Sequence, residues 1–538
     1  MIRTATAAAV VGLVMASSAQ AQSAGGSDAE IALLKQQLKM LEQKLDRLQK
    51  QTTANTQAAA TATAKAETAK AEVKTVVANA NGSFPVKGTA PFSGVVVTMP
   101  NNRPTICTAD GENCVALTSR VHFDVGGYNY RPNGAATSPQ KLDSGENLRR
   151  ARIGVLGKFF GDWNYALIYD FGGSSDGFGG TAPGSLPGGG TSGVENAYLS
   201  YTGFKPFGGK MAIEGGIMDL PWTLDESTSS NDILFMERAS AGIIAQNIAA
   251  GDFRSAAGTR WWNDDFWAGA YVTGPTSGSI HSANVPAGTL PTSTSVVAAS
   301  EQYGAVVRAA GQVVSGPDYS FHLGADAEWL IQPPRNLVTG AQTLTLSDRP
   351  ELRIDPTTLI TTGAIANVSG AQVYGVEAAA TYGSFFFQGE YYWFNVDRTA
   401  NTGLPPLGGA SSLKFNGGYA EASYVLTGES HKYNSSSASY GGIKPDRPFS
   451  WQAGSWGAWE IAGRFSTIDL NDQIATAAGI AGGRQNIYTA ALNWYVNGNV
   501  RFMFDYLHGD ISRQASSTST LNAGSRFDAF AMRTQVAF

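Results

Sequence analysis

Arginine is the residue type with chemistry to offer in this chain. The run GENLRRARIGVLGKFF holds Arg149, Arg150 and Arg152, and Arg464, Arg501 and Arg533 follow in GAWEIAGRFSTIDL, NVRFMFDYLHGD and RFDAFAMRTQVAF. Each guanidinium is a planar fork of donors that matches the oxygens of an oxyanion. Nucleophilic and metal chemistry have no comparable signal. The chain has no G-x-S-x-G, no H-E-x-x-H and no phosphate-cradling loop followed by Lys. The histidines of HKY at 431–433 and HGD at 508–510 are isolated, and SLPGGGTSG reads as loop. We therefore expect no catalytic residue, no metal and no cofactor. No basic aromatic patch points to nucleic acid.

The elements that hold these arginines read as strands. In ARIGVLGKFF, Ile153, Val155, Gly157 and Phe159 share one face, and after a turn at Gly161-Asp162 so do Trp163, Tyr165, Leu167, Tyr169 and Phe171. The same period of two places Phe385, Phe387, Tyr391 and Trp393 together, and Val500, Phe502, Phe504 and Tyr506. Arg152, Arg464, Arg501 and Arg533 lie on the faces opposite the apolar residues. Arg149 and Arg150 are adjacent, so both reach one face only at a strand end or an irregularity. Each arginine also has a plainer reading, keeping a wall wet or pairing with a carboxylate; Glu460 is the candidate partner for Arg464, and Asp505 for Arg501.

Fifteen candidate strands run from 121–130 to 526–538, one of them at 260–273, and a sixteenth is expected inside a loop. Many are ten residues or longer, Tyr and Trp crowd their ends, and loops alternate long and short. Only 15% of residues are charged, against roughly 25% in ordinary soluble domains. No 18-residue apolar run follows the first 20 residues, so no membrane-spanning helix is indicated. These features predict an all-β fold, a transmembrane antiparallel barrel of about sixteen strands. The last strand puts Phe530, Met532, Val536 and Phe538 towards lipid and Arg533 and Gln535 towards the lumen.

The N-terminal part reads differently. Residues 1–21 have the form of a secretory signal peptide, with Ala19-Gln20-Ala21 at the cleavage site. Residues 28–50 carry Ile31, Leu34, Leu38, Leu41, Leu45 and Leu48, a heptad seam that predicts a coiled-coil helix. Residues 51–80 read as an Ala/Thr-rich spacer and 81–118 as a linker. Within the linker, Cys107 and Cys114 are expected to form a disulfide after export. The barrel is assigned to 119–538.

Several segments together resemble the phosphate-selective porin O and P family. These are GENLRRARIGVLGKFFGDWNYALIYDF, FMER at 235–238, GAWEIAGRFSTIDL, NIYTAALNWYVNGNVRFMFDYLHGD and a terminal strand closing on Phe. The resemblance covers roughly residues 119–538. It implies a sixteen-strand bacterial outer-membrane barrel, commonly trimeric, that passes small anions through a narrow pore. Arg149 and Arg150 match the family's double arginine. The terminal Phe resembles the signal read by the barrel assembly machinery.

The expected function is passive diffusion of small anions, phosphate or related oxyanions, with outer-membrane lipid and copies of the chain as partners. The N-terminal helix is placed in the periplasm. The alternatives are a structural tether acting through the coiled coil, and a general non-selective porin. Charge sets a limit on this reading. Lys and Arg number 38 against 43 Asp and Glu, and no Lys-rich constriction loop is recognisable.

Overall fold

The computed structural model describes residues 38–40, 42, 43, 46, 50 and 94–538, apart from 134–140, 173–192, 252, 278–279, 282–295, 298–299, 337–339 and 400–411. The chain divides into two units, Met1–Gly94 and Val95–Phe538. In the first, the described residues between 38 and 50 are helical. The signal peptide, the spacer and every seam position except Leu38 lie outside the described residues.

The second unit is a closed antiparallel barrel of sixteen strands. In chain order they are β1 (Cys114–Pro132), β2 (Gly145–Phe159), β3 (Trp163–Asp170), β4 (Val194–Phe204), β5 (Lys210–Met218), β6 (Arg254–Trp262), β7 (Phe266–Thr276) and β8 (Tyr303–Ser315). There follow β9 (Tyr319–Gln332), β10 (Val368–Tyr382), β11 (Phe385–Arg398), β12 (Ser412–Val425), β13 (Ala458–Asp472), β14 (Ile480–Tyr495), β15 (Val500–Ser512) and β16 (Ser525–Ala537). Each strand pairs with the next, and β16 pairs with β1 from Ser525↔Pro132 to Ala537↔Arg120. Phe538 extends the closure, exchanging two 3.0 Å backbone hydrogen bonds with Ser119. Closure leaves no strand edge in the barrel, which is the condition for crossing a bilayer with strands.

The sixteenth strand does not hide in a loop. The run expected as one strand at 260–273 is two, β6 and β7, joined by Asn263-Asp264-Asp265. The Asn263 side chain accepts from the backbone N–H groups of Asp265 (2.9 Å) and Phe266 (2.6 Å). This Asx turn reverses the chain without a glycine, so apolar residues flank it closely on both sides.

Outward faces are apolar and exposed. On β11, Phe385, Phe387, Tyr391 and Trp393 are exposed, while Phe386, Gln388, Glu390, Tyr392 and Phe394 between them are buried. A greasy exterior over a polar and aromatic interior is the inverse of a soluble protein, and suits lipid contact.

Before β1, the strands Val95–Thr98 and Thr105–Thr108 form a hairpin whose second strand pairs with the start of β1. Cys107 lies directly opposite Cys114, with the two sulfurs 2.11 Å apart. Part of the expected linker is therefore sheet.

Short turns lie at one end of the barrel, at 160–162, 205–209, 263–265, 316–318, 383–384 and 496–499. Longer connections lie at the other, with one exception. Residues 426–457, between β12 and β13, belong to the turn end. Among the described residues, three long segments fold into the lumen. The first, 219–253, carries helices α1 (Leu224–Ser227) and α2 (Ser240–Ala249). The second is 333–367 and the third 426–457. Trp222, Ile244, Ile248, Leu352 and Leu359 join inward residues of the wall, such as Tyr392 and Phe394, in one apolar cluster. The lumen is thus the molecule's core.

Candidate functional site

All six arginines singled out from the sequence face the interior: Arg149, Arg150, Arg464, Arg501 and Arg533 are buried and Arg152 nearly so. The double arginine enters through an irregularity. The β1–β2 register steps from His122↔Arg150 to Phe123↔Leu148, leaving Arg149 as an extra residue. This bulge reverses the side-chain alternation, so two consecutive arginines point into the lumen.

The first inward segment is held by the wall. Arg533 grips Asp124 through two hydrogen bonds of 2.7 Å and also donates to the Met236 carbonyl. Arg501 donates to the carbonyls of Ile233 (2.9 Å) and Asn231 (3.2 Å), and Arg464 to that of Glu237 (2.9 Å). Asn493 and Gln535 take the Leu234 and Asn231 carbonyls, and Asp505 accepts from the Met236 N–H (2.9 Å). Segment 229–238 has irregular backbone whose polar groups would otherwise be buried unpaired, and these side chains satisfy them.

Glu237 is the hub. Its carboxylate lies 2.7 Å from Arg149, 2.8 Å from Arg533, 3.7 Å from Arg353 and 3.9 Å from Arg150. Burial alone pushes its carboxyl up; Arg149, Arg150 and Arg533 outweigh that and hold it well below the usual carboxylate range.

The carboxylate partners expected from spacing are not the ones found. Glu460 bonds His431 (2.7 Å), Ser423 (2.6 Å) and Tyr495 (2.6 Å). Arg464 bonds Glu351 at 2.7 Å, and Arg501 bonds main-chain carbonyls. The reason is geometric. Residues four apart on a strand are separated by roughly 13 Å, beyond the reach of a direct pair.

The helices of this segment are capped from outside. Glu390 on β11 accepts from the N–H groups of Leu224 (2.8 Å) and Asp225 (3.1 Å), where α1 presents unpaired donors. Thr223 caps Glu226 (3.1 Å). Glu351, from 333–367, accepts from the N–H of Ser240 at the start of α2 (3.0 Å). Arg238 takes carbonyls at the end of α1, with 2.8 Å to Thr228. Burial raises the carboxyl of Asp225 on α1, with Arg238 partly offsetting it.

Against this frame lies a cavity of about 240 Å³ bordered by β1, β2, β3, β4 and the first inward segment. Its lining includes Arg120, Arg150, Arg152 and Arg238 with Ser227, Ser229 and Ser230, and the acids Glu195, Asp219 and Glu226. Arg120 hydrogen-bonds Ser230, and Ser229 at 3.0 Å. Arg152 pairs with Asp170 (3.0 Å) and Glu195. Of the expected arginines, Arg150 and Arg152 line this cavity. Arg120 and Arg238 were not foreseen, nor was Glu237. FMER carries the family resemblance without marking roles for its residues, and the apolar ILFMERASAGIIAQNIAA is the sequence signal that this connection is buried.

Across the lumen, Asp225, Asp326, Glu377, Glu390 and Glu421 form an acidic wall, with Arg308 on Glu377 at 2.9 Å. The third inward segment docks there from the turn end. Arg308 donates to the carbonyls of Ser437 (2.9 Å) and Ala438 (2.7 Å), and Ser439 to that of Ser227 on α1 (3.0 Å). His431 bridges Glu460 and the Gly441 carbonyl (2.8 Å).

The family model described as phosphate-selective porin O and P matches residues 115–538. Porin O of Pseudomonas aeruginosa is 24% identical over 453 residues, covering 80% of this chain and 90% of that protein. An uncharacterized protein of Caulobacter vibrioides is 34% identical over 187 residues, 34% of this chain, and the match spans 33% of that relative's length. The anion-selective porin from Comamonas acidovorans is similar in structure at 14% identity and a TM-score of 0.41, with 79% of this chain and 100% of that one covered. The match at 115–538 takes in all sixteen barrel strands; the chain belongs to the phosphate-selective porin O and P family and is an outer-membrane porin.

Proposed function

We propose that the barrel passes small oxyanions, phosphate among them, down their gradient. The supporting observation is the cavity where Arg120, Arg150, Arg152 and Arg238 meet Ser227, Ser229 and Ser230. Guanidinium forks and hydroxyl donors together match a tetrahedral oxyanion. Arg464, Arg501 and Arg533 act one step back, fixing the segment that supplies Arg238 and the serines. The family description and the name Porin O point the same way. The active form is a homotrimer in outer-membrane lipid, inserted by the barrel assembly machinery, with residues 28–50 a coiled coil in the periplasm.

Planar-bilayer recordings test this. Phosphate added to a chloride-conducting channel should reduce the current. Replacing Arg120 and Arg150 together by Ala should weaken that block about tenfold or more, since a charge-assisted hydrogen bond contributes about 1.5–3 kcal/mol. An unchanged block in the double variant would remove this cavity from the anion path, and a channel that phosphate never blocks would be a general porin.

A further inference from the structure

Asp326 on β9, Glu377 on β10 and Glu390 on β11 sit on three consecutive strands, and each offers an oxygen within 4.8 Å of the others. All three are buried. Two are engaged. Glu377 accepts from Arg308 (2.9 Å) and stands 2.8 Å from the His322 ring, and Glu390 accepts from Leu224, Asp225 and Tyr419. Asp326 is not. It is only 6% exposed, and neither of its oxygens has a hydrogen-bond partner among the described residues.

Glycines make the room for this convergence. Asp326 faces Gly375 across the β9–β10 pair, and Glu377 faces Gly324. A Cβ on Gly375 would overlap the Asp326 carboxylate, and one on Gly324 the Glu377 carboxylate. The Asp326 carboxylate therefore lies flat over β10 and the Glu377 carboxylate over β9.

An orphan carboxylate beside two others, with one guanidinium to compensate, is an expensive arrangement in a low-dielectric interior. We propose that Asp326, Glu377 and Glu390 form a binding site for a hard divalent cation, Ca²⁺, in the lumen wall. Ca²⁺ takes carboxylate oxygens at about 2.3–2.6 Å, so ligands on opposite sides of one ion stand up to about 5 Å apart. Three carboxylates in a protein cage suit Ca²⁺ better than Mg²⁺, which keeps several of its waters. The site is separate from the arginine cavity and does not rest on the anion reading. A bound Ca²⁺ would offset the acidic wall next to α1.

The test uses the full-length protein, purified in detergent and stripped with chelator. Tb³⁺ in the site should show emission sensitised by Tyr392, two residues beyond Glu390, and by Trp222, whose ring centroid is 6.4 Å from that of Tyr392. Ca²⁺ should displace it at one ion per chain. Asp326→Asn, which keeps the side-chain volume, should lower Tb³⁺ affinity at least about tenfold, and Asp528→Asn at the barrel rim should leave it unchanged. Equal Tb³⁺ affinity in Asp326→Asn and wild type would overturn the proposal. So would the absence of bound Ca²⁺ in equilibrium dialysis of the wild-type protein, which needs no variant; the acids would then share a proton.

Discussion

Glu237 shows how one side chain organises the arginines around it. Buried ion pairs add little net stability compared with apolar replacements, yet removing one partner is costly because its mates stay buried and charged. Glu237→Gln leaves Arg149, Arg150 and Arg533 without their shared negative charge and puts an NH₂ donor where a carboxylate oxygen accepted. We expect a loss of about 3–5 kcal/mol in barrel stability, measured by denaturant unfolding in detergent, together with a reversal potential shifted further towards anions. Unchanged stability would mean that the cluster contributes nothing to holding segment 229–238. Arg152, Arg464, Arg501 and Arg533 were legible in the sequence because alternation placed each opposite an apolar face; Arg149 and Arg150 were legible only through the family resemblance, since a bulge breaks the alternation there. Their partners were not. Arg464 and Arg501 bond groups 113 and 268 positions away in the chain, and no local spacing encodes such pairs.

At the scale of elements, alternation revealed the strands because one face meets lipid and the other does not. It failed at WWNDDFW, where an Asx turn is short enough to pass as part of one strand. It gave no hint that three connections fold inward, since their capping groups come from other strands. The turn-end segment 426–457 carries a pH-sensitive contact. Burial pushes the His431 imidazole down, but the Glu460 carboxylate outweighs this and raises it above the ordinary histidine value. A raised folded-state value means that the docked segment binds the proton more tightly. Its stabilisation is complete below about pH 6.5, the unfolded value, and fades as pH climbs through the raised value. Channel noise and mean conductance should therefore rise on the alkaline side, and His431→Gln should flatten that dependence. A pH response that survives the substitution would assign it elsewhere. The heptad segment has its own check: a 28–50 peptide should self-associate, and changing Leu38 and Leu41 to Ser should weaken the association.

The whole molecule sets two charged faces against each other. Arg149, Arg150, Arg152 and Arg533 belong to β1's neighbours β2 and β16, and the acids Asp326, Glu377, Glu390 and Glu421 to β9–β12. In strand order the arginines of β2 and the acids of β9–β11 are about half a barrel apart. The overall excess of acid therefore does not decide what passes, because the local field along the path does. On the proposed reading the path runs on the arginine side, past the cavity lined by Arg120, Arg150, Arg152 and Arg238. The most direct measurement is the reversal potential of the purified channel in a planar bilayer across a salt gradient. Anion passage predicts a potential of the sign that favours the anion, reduced when Arg120 and Arg150 are replaced. A potential favouring the cation in the wild-type channel would contradict it.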